Sequence, residues 1–277
     1  MFSTHPKVYL VARPQINAEG MRAYLDAVDG AEWYERIANA NELSHGEALV
    51  EFMGRNCYRS WKPGLNPNVT KVREDSFEYL GNILESGHGS VLEHAQYSFV
   101  FHNVSRVFTH ELVRHRAGVA ISQESLRYVR LTDIGFRIPP ILAEGPDLVM
   151  AGGDGEADTI PMRDAIVSIV ETLEDFQKQA AHAFGLDDEG VPFHYKKEVT
   201  SALRRLAPIG LSTTIGWSAN VRTLRHVIEM RTALGAEEEI RTVFQAVAAI
   251  MREECPALSQ DMFWNENGEV LFDNVKV

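Results

Sequence analysis

Arg114-His115-Arg116 sets three cationic or ionisable side chains in a row, and Gln123, Glu124, Ser125 and Arg127 follow closely. Charges packed this tightly beside apolar segments are costly unless something anionic meets them. Arginine forks suit phosphate, and Gln, Glu and Ser side chains suit a base or a sugar. The stretch therefore reads as a phosphate- and nucleotide-binding element. A second concentration of arginine follows at Arg204, Arg205, Arg222, Arg225 and Arg231, while Arg106 and Arg130 belong with the first. The chain as a whole is acidic, with a formal net charge of -12. An acidic protein that gathers arginine into two segments builds a local anion site from both. The plainer alternative is a pair of solvated helix faces, with cations compensating helix dipoles.

Two further constellations stand out. His88-Gly89-Ser90-Val91-Leu92-Glu93-His94 is a turn dense in polar groups. Its histidines lack the spacing of a zinc helix motif and no cysteine joins them, so ligand contacts or a structural network are expected there rather than a metal. Asn220, Arg222, His226 and Arg231 form the other, but one helix face does not collect them all. Alone, Arg231 could serve a helix dipole and His226 could be structural. Cys57 and Cys255 are the only cysteines. Thiolate addition to a pyrimidine would need an activated thiol; neither local sequence suggests one, and both read as packing residues. Dinucleotide-binding, P-loop and nucleophile-elbow motifs are absent.

The elements that must position these residues are partly legible. Val8–Ala12 reads as a strand and residues 16–28 as a helix. Ser44-His45-Gly46-Glu47 has capping-box spacing and opens a helix toward Cys57. Phe77, Leu80, Ile83 and Leu84 share the face of a second helix ending near Gly87. Residues 97–102 read as a strand. Val104, Val107, Phe108 and Leu112 repeat at helical spacing, which places Arg114–Arg116 in a last helical turn, with Gly118 ending it. Residues 126–131 read as a strand, 143–161 as a surface loop, and 162–184 and 198–206 as helices. A β-type run at 212–218, helices over 220–232 and 236–254, and a last strand at 268–272 complete the chain. Strands and helices alternate without a clean βαβ cadence, so a mixed α/β or α+β fold in one domain over residues 1–277 is expected, with 143–161 as an insertion.

Composition sets the remaining bounds. At 277 residues and 45% hydrophobic content the chain can bury a real core. The net charge argues against binding nucleic acid. No apolar run is long enough for a transmembrane helix. The first residues do not resemble a secretory signal, and two cysteines do not make a disulfide framework, so a cytoplasmic location is expected.

These blocks resemble the flavin-dependent thymidylate synthases. That family carries Arg-His-Arg, a fixed spacer, then Ser-x-Arg-Tyr; Arg114-His115-Arg116 and Ser125-Leu126-Arg127-Tyr128 are similar to it. Gly87-His88-Gly89-Ser90-Val91-Leu92-Glu93-His94, Arg204 before Pro208, Asn220-Val221-Arg222-Thr223-Leu224 and Met230-Arg231 extend the likeness in order. The resemblance implies a mixed, largely antiparallel twisted sheet flanked by helices, in a homotetramer with active sites at subunit interfaces. It implies FAD, with NADPH and methylenetetrahydrofolate as cosubstrates, and reductive C5-methylation of dUMP to dTMP without a cysteine nucleophile. Carried over by position, Cys57, Ser90, Glu93, Arg114, His115, Arg116, Asn220, Arg222 and His226 would hold FAD. Glu111, Gln123, Glu124, Ser125, Arg127, Arg204 and Arg231 would hold the nucleotide, and His88, Arg127 and Arg231 would be catalytic. This chain departs from the pattern at three places. Its spacer of eight residues, 117–124, is one longer. Glu111 stands where relatives often carry Gln, and Gly235 where they often carry His. UMP is thus the rival acceptor, since Glu111 could receive an extra 2′-hydroxyl, and a non-catalytic nucleotide-binding paralogue is the rival of another class.

Overall fold

Alternation of apolar and polar residues builds the central strands. In β2 (Gln96–Ser105), Tyr97, Phe99 and Phe101 are buried while Ser98, Val100 and His102 are half-buried. In β6 (Ser212–Asn220), Ile215, Trp217 and Ala219 are buried in the same rhythm. Such a period of two turns one face to the core. With β1 (Lys7–Ala12) and β3 (Val119–Gln123) these form a four-stranded sheet in the order β1-β2-β6-β3. The β2–β6 pair is antiparallel: Ser98 Oγ meets Ser218 Oγ at 2.7 Å, and His102 Nδ1 meets Thr214 Oγ1 at 3.0 Å. So is β6–β3, where the Glu124 N–H donates to Thr214 O and the Asn220 N–H to Gly118 O.

The computed structural model describes residues 5–40, 43–127, 135–151, 157–275 and 277. The chain divides into two compact units. The first comprises residues 1–7, 101–114 and 122–215. It holds α6 (Arg106–Leu112), α7 (Pro140–Ala143), β4 (Leu148–Ala151), β5 (Ala157–Ile160), α8 (Met162–Ala183) and α9 (Phe193–Leu203), which continues as one 3-10 turn at Arg204–Leu206. The second comprises residues 8–100, 115–121 and 216–277. It holds α1 (Ala18–Ala27), α2 (Ala31–Ala40), α3 (His45–Tyr58), α4 (Ser76–Glu85), α5 (Gly89–Leu92), α10 (Val221–Thr232), α11 (Glu238–Glu254) and the antiparallel pair β7 (Met262–Trp264) and β8 (Val270–Phe272).

Within the second unit, Met21, Leu25, Trp33 and Trp61 form one apolar cluster, with Phe52 and Ile37 against it. Beneath it lies a fully buried ion pair: Arg55 Nε donates to Glu51 Oε1 at 2.7 Å. Trp33 Nε1 donates to the same oxygen, and Arg55 also reaches the carbonyls of Ser60 and Arg73 and stacks over Tyr79. These extra partners satisfy Arg55 and one oxygen of Glu51, which offsets part of the desolvation cost, while the buried Glu51 Oε2 has no hydrogen-bond partner among the described residues. A second cluster packs Phe99, Trp217 and Phe244, so α11 covers one face of the sheet.

Several elements differ from the sequence expectation. The capping box is present, with Ser44 Oγ accepting from the Glu47 N–H and Glu47 Oε2 accepting from the Ser44 N–H. Val104, counted as helical, belongs to β2. The following helix is only seven residues long, so Arg114–Arg116 lies beyond its end in a turn. The eight-residue spacer is not a mere connection, because it contains β3. Leu126 and Arg127 sit in a turn, and the rest of the strand expected at 126–131, with Tyr128 and Arg130, lies outside the described residues. Within the stretch expected as loop, Leu148–Ala151 and Ala157–Ile160 form a β4–β5 ladder in the register Leu148↔Ile160. Phe77 is 37% exposed rather than on the buried face of α4, whose core side is Tyr79, Leu80, Ile83 and Leu84. Cys255 is buried, but Cys57 is exposed and packs nothing away.

Candidate active site

The first unit brings two distant arginine segments together. Arg106 at the start of α6 lines one cavity with Gln123, Glu124, Ser125 and Leu126 after β3, and with Arg204 and Arg205 from the 3-10 turn. The cavity holds about 390 Å³, enough for a nucleotide-sized ligand. Local bonds set its wall. Gln123 Nε2 donates to Thr109 Oγ1 at 3.2 Å, and Glu124 Oε2 accepts from the Thr214 N–H at 3.2 Å. Arg106 Nη2 reaches Glu124 O at 3.4 Å, and Ser125 Oγ accepts from the Arg127 N–H at 3.3 Å. Burial lowers the pKa of Arg106; Glu124 opposes that shift and Arg204 adds to it. The guanidinium stays charged, and its buried Nε has no hydrogen-bond partner among the described residues. Among the described residues, three guanidiniums against one carboxylate make the groove a receptor for an anion.

Two of these residues, Arg106 and Arg205, carried no assigned role from sequence, although both stood in the arginine clusters. Glu111 lies in α6 of the same unit, half-buried. Arg127 is exposed and Arg114 is exposed at the end of this unit's segment.

The second unit assembles a different cluster around the N-terminus of α10. Asn220 caps that helix, its Oδ1 accepting from the Thr223 N–H at 2.8 Å. Thr223 Oγ1 donates to Ala117 O at 3.0 Å, which ties the turn after Arg116 to the helix. Gly118 makes this approach possible. It has φ +68, and a Cβ there would lie 2.4 Å from Asn220 Nδ2 and 2.6 Å from Thr223 Oγ1. Arg222 and Glu93 pair at 2.6 Å, both about half exposed. Ser90 and Arg116 are exposed.

His115 meets α10 from the same turn. Its Nε2 lies 2.7 Å from Arg231 Nε, and its ring stands edge-on to His226 at 6.5 Å. Burial, then the charges of Arg231 and His226, push its pKa down to about 4. The imidazole is neutral at pH 7. His88 caps α5 and stacks on Tyr58 at 5.7 Å, with the phenol oxygen 3.2 Å from Nδ1. Arg225, grouped with the anion-site arginines by sequence, does other work. It forms a two-pronged pair with Asp261, both bonds 2.7 Å, and stacks on Phe272. Burial opposes ionisation of Asp261, but Arg225 holds its carboxyl below the usual range.

The comparisons with known proteins fit these features. Residues 40–257 match the family model Thy1, described as thymidylate synthase complementing protein. The chain is 35% identical over 222 residues to a flavin-dependent thymidylate synthase of Mycobacteroides abscessus, covering 80% of this chain and 82% of that one. It is 38% identical over 203 residues to that of Mycolicibacterium gilvum, covering 73% and 74%. Its fold is similar to the crystal structure of the UMP/dUMP methylase PolB from Streptomyces cacaoi bound with 5-Br UMP, at TM-score 0.57 and 15% identity over 94% of each chain. The chain belongs to the Thy1 family of flavin-dependent thymidylate synthases.

Proposed function

We propose that the protein catalyses reductive C5-methylation of a uridylate, dUMP to dTMP, acting as one catalytic domain in a homotetramer. The groove of Arg106, Arg204 and Arg205 carries this reading, because its excess of guanidinium over carboxylate suits the phosphate of a nucleotide. Gln123, Glu124, Ser125 and Arg127 are the contacts to the sugar and base, and a guanidinium against a uracil carbonyl polarises the ring toward attack.

The second unit fits a flavin nucleotide. Arg222, Asn220 and the exposed Arg116 surround a helix N-terminus, a donor set suited to phosphate. Gly118 keeps that approach close, and a neutral His115 offers a hydrogen bond without a charge. Arg114, His115, Arg116, Asn220, Arg222 and His226 are the residues we assign to FAD, with Cys57, Ser90 and Glu93. When bound and reduced by NADPH, the flavin supplies the hydride, and methylenetetrahydrofolate supplies the carbon. Arg231 addresses the nucleotide, and His88, held on Tyr58, borders the flavin and folate. Neither cysteine has a nucleophilic part: Cys255 is buried with its thiol pKa pushed upward by desolvation.

UMP is the second reading, because Glu111 on α6 offers a carboxylate acceptor to a 2′-hydroxyl. Turnover of dUMP and UMP with FAD, NADPH and methylenetetrahydrofolate decides between them. Production of dTMP with little turnover of UMP is expected. A strong preference for UMP transfers the assignment, and bleaching of the flavin by NADPH without methylation of either nucleotide refutes both.

A further inference from the structure

The turn Ala117-Gly118 carries the chain from Arg116 into β3, and hydrogen bonds fix it rather than burial. Arg116, Ala117 and Gly118 are exposed. Yet both carbonyls of the turn are taken by the start of α10. Thr223 Oγ1 donates to Ala117 O at 3.0 Å, and the Asn220 N–H donates to Gly118 O at 3.3 Å. The seat is shaped for glycine, since a side chain at φ +68 would collide with Asn220 and Thr223 themselves.

The N-terminus of α10 has few backbone donors left to offer. The Val221 N–H donates to Ala95 O at 2.9 Å, and the Thr223 N–H donates to Asn220 Oδ1 at 2.8 Å. An anion arriving there is met chiefly by side chains, Arg222 beside Thr223 in sequence and Arg116 beside Ala117. An exposed arginine has many rotamers to lose on binding, so a fixed backbone beneath it matters. The Thr223 hydroxyl thus governs where the Arg116 side chain starts from.

We infer that Thr223 is a positioning residue: its hydroxyl, with Gly118, seats the turn on α10 and so holds Arg116 at the same helix end as Arg222. This rests on the flavin reading above for the identity of the ligand, but the seat itself does not. It also gives the longer spacer a physical place, because residues 117 and 118 are taken up in the seat and β3 starts only at Val119. A turn held before the ligand arrives has less freedom to lose on binding.

The test uses the full chain with FAD alone as ligand. Thr223→Val removes the hydroxyl and keeps the shape. Calorimetric titration should show FAD affinity reduced about twofold to tenfold, the range for a neutral hydrogen bond, and Thr223→Ser should bind as wild type does. Arg116→Ala should itself cost roughly tenfold or more, as expected for a hydrogen bond to a charged group. In that background Thr223→Val should have almost no further effect, because the hydroxyl has no cation left to place. A general loosening of the fold would add its cost in both backgrounds. Additive losses therefore overturn the inference, as does a Ser variant no better than Val. Hydrogen exchange without FAD reads the seat alone. The Asn220 amide, which donates to Gly118 O, should exchange about twofold to tenfold faster in Thr223→Val, and equal rates overturn the seat. A wild-type chain that binds no FAD refutes the flavin reading and the purpose given to Arg116, and the exchange arm then decides the seat by itself.

Discussion

The groove and the His115 cluster handle positive charge in opposite ways. In the groove, Arg106, Arg204 and Arg205 crowd one open cavity with Glu124 as the carboxylate among them, and the buried Arg106 Nε has no hydrogen-bond partner among the described residues. In the cluster on α10, Arg231 donates to a neutral imidazole and Arg222 pairs with the carboxylate of Glu93. The first region stores unbalanced charge, so an anion stabilises it on arrival. In the second each arginine already meets an acceptor of the protein's own, so geometry matters more there than free charge. Affinity in the groove should therefore follow charge and salt, whereas function at the cluster should follow geometry.

The largest expected effect breaks the groove. Arg204 is exposed, so Arg204→Ala should weaken uridylate binding by about 1.5–3 kcal/mol, the range for a hydrogen bond to a charged group. Calorimetry on the flavin-loaded protein measures it. Raising sodium chloride should weaken wild-type binding as well, since exposed charges are screened. FAD affinity should be unchanged in the variant; loss of both ligands together would erase the distinction between the two regions.

Next comes a pH effect that belongs to the cluster alone. His115 has a folded pKa of about 4 against an ordinary value near 6.5. Between these limits the unfolded chain binds a proton that the folded chain refuses, so stability falls as pH drops from about 6.5 to about 4. Above that window the contribution is fully present; below it the loss levels off. His115 is only half-buried, so solvent screening discounts the full effect of the shift, and the loss is at most about 3 kcal/mol. Urea unfolding of wild type and His115→Phe across this range should show a steeper slope for wild type. Equal slopes would mean that His115 titrates normally.

Sequence reasoning found what was local. Ser44 and Glu47 announce a helix start because both partners of the capping box lie within one turn. It failed where partners lie far apart. Val104 fits a helical repeat as well as a strand, and pairing of β2 with β6, more than a hundred residues away, decides the matter. β3 was invisible in the spacer for the same reason, since its register is set by Thr214 and Asn220. Two arginine segments foretold an anion site, but not which members serve it: Arg225 left it for Asp261, while Arg106 and Arg205, counted in the clusters without a role, line the groove. The neutral state of His115 had no signal at all, because Arg231 reaches it only once α10 is packed.

Ser125→Ala should be milder than either change above. Its hydroxyl accepts one backbone N–H and is uncharged, so its loss should reduce uridylate affinity by about 0.5–1.5 kcal/mol. A loss as large as that of Arg204→Ala would mean that the groove works by shape around Ser125 rather than by charge.

The smallest effect sharpens the other side. Glu93 and Arg222 lie 2.6 Å apart, yet each side chain is nearly half exposed. Exposed pairs contribute about 0–1 kcal/mol, because water and salt screen them and two long side chains must be ordered. Glu93→Gln should therefore leave the urea midpoint almost unmoved, with Gln still able to accept from Arg222. That near-silence makes the variant informative. If FAD titration then shows weaker binding, the loss comes from a carboxylate facing the ligand and not from a loosened fold. If the unfolding free energy itself drops by several kcal/mol, the pair is a structural clamp, and Arg222 is bound to the scaffold rather than held ready for phosphate.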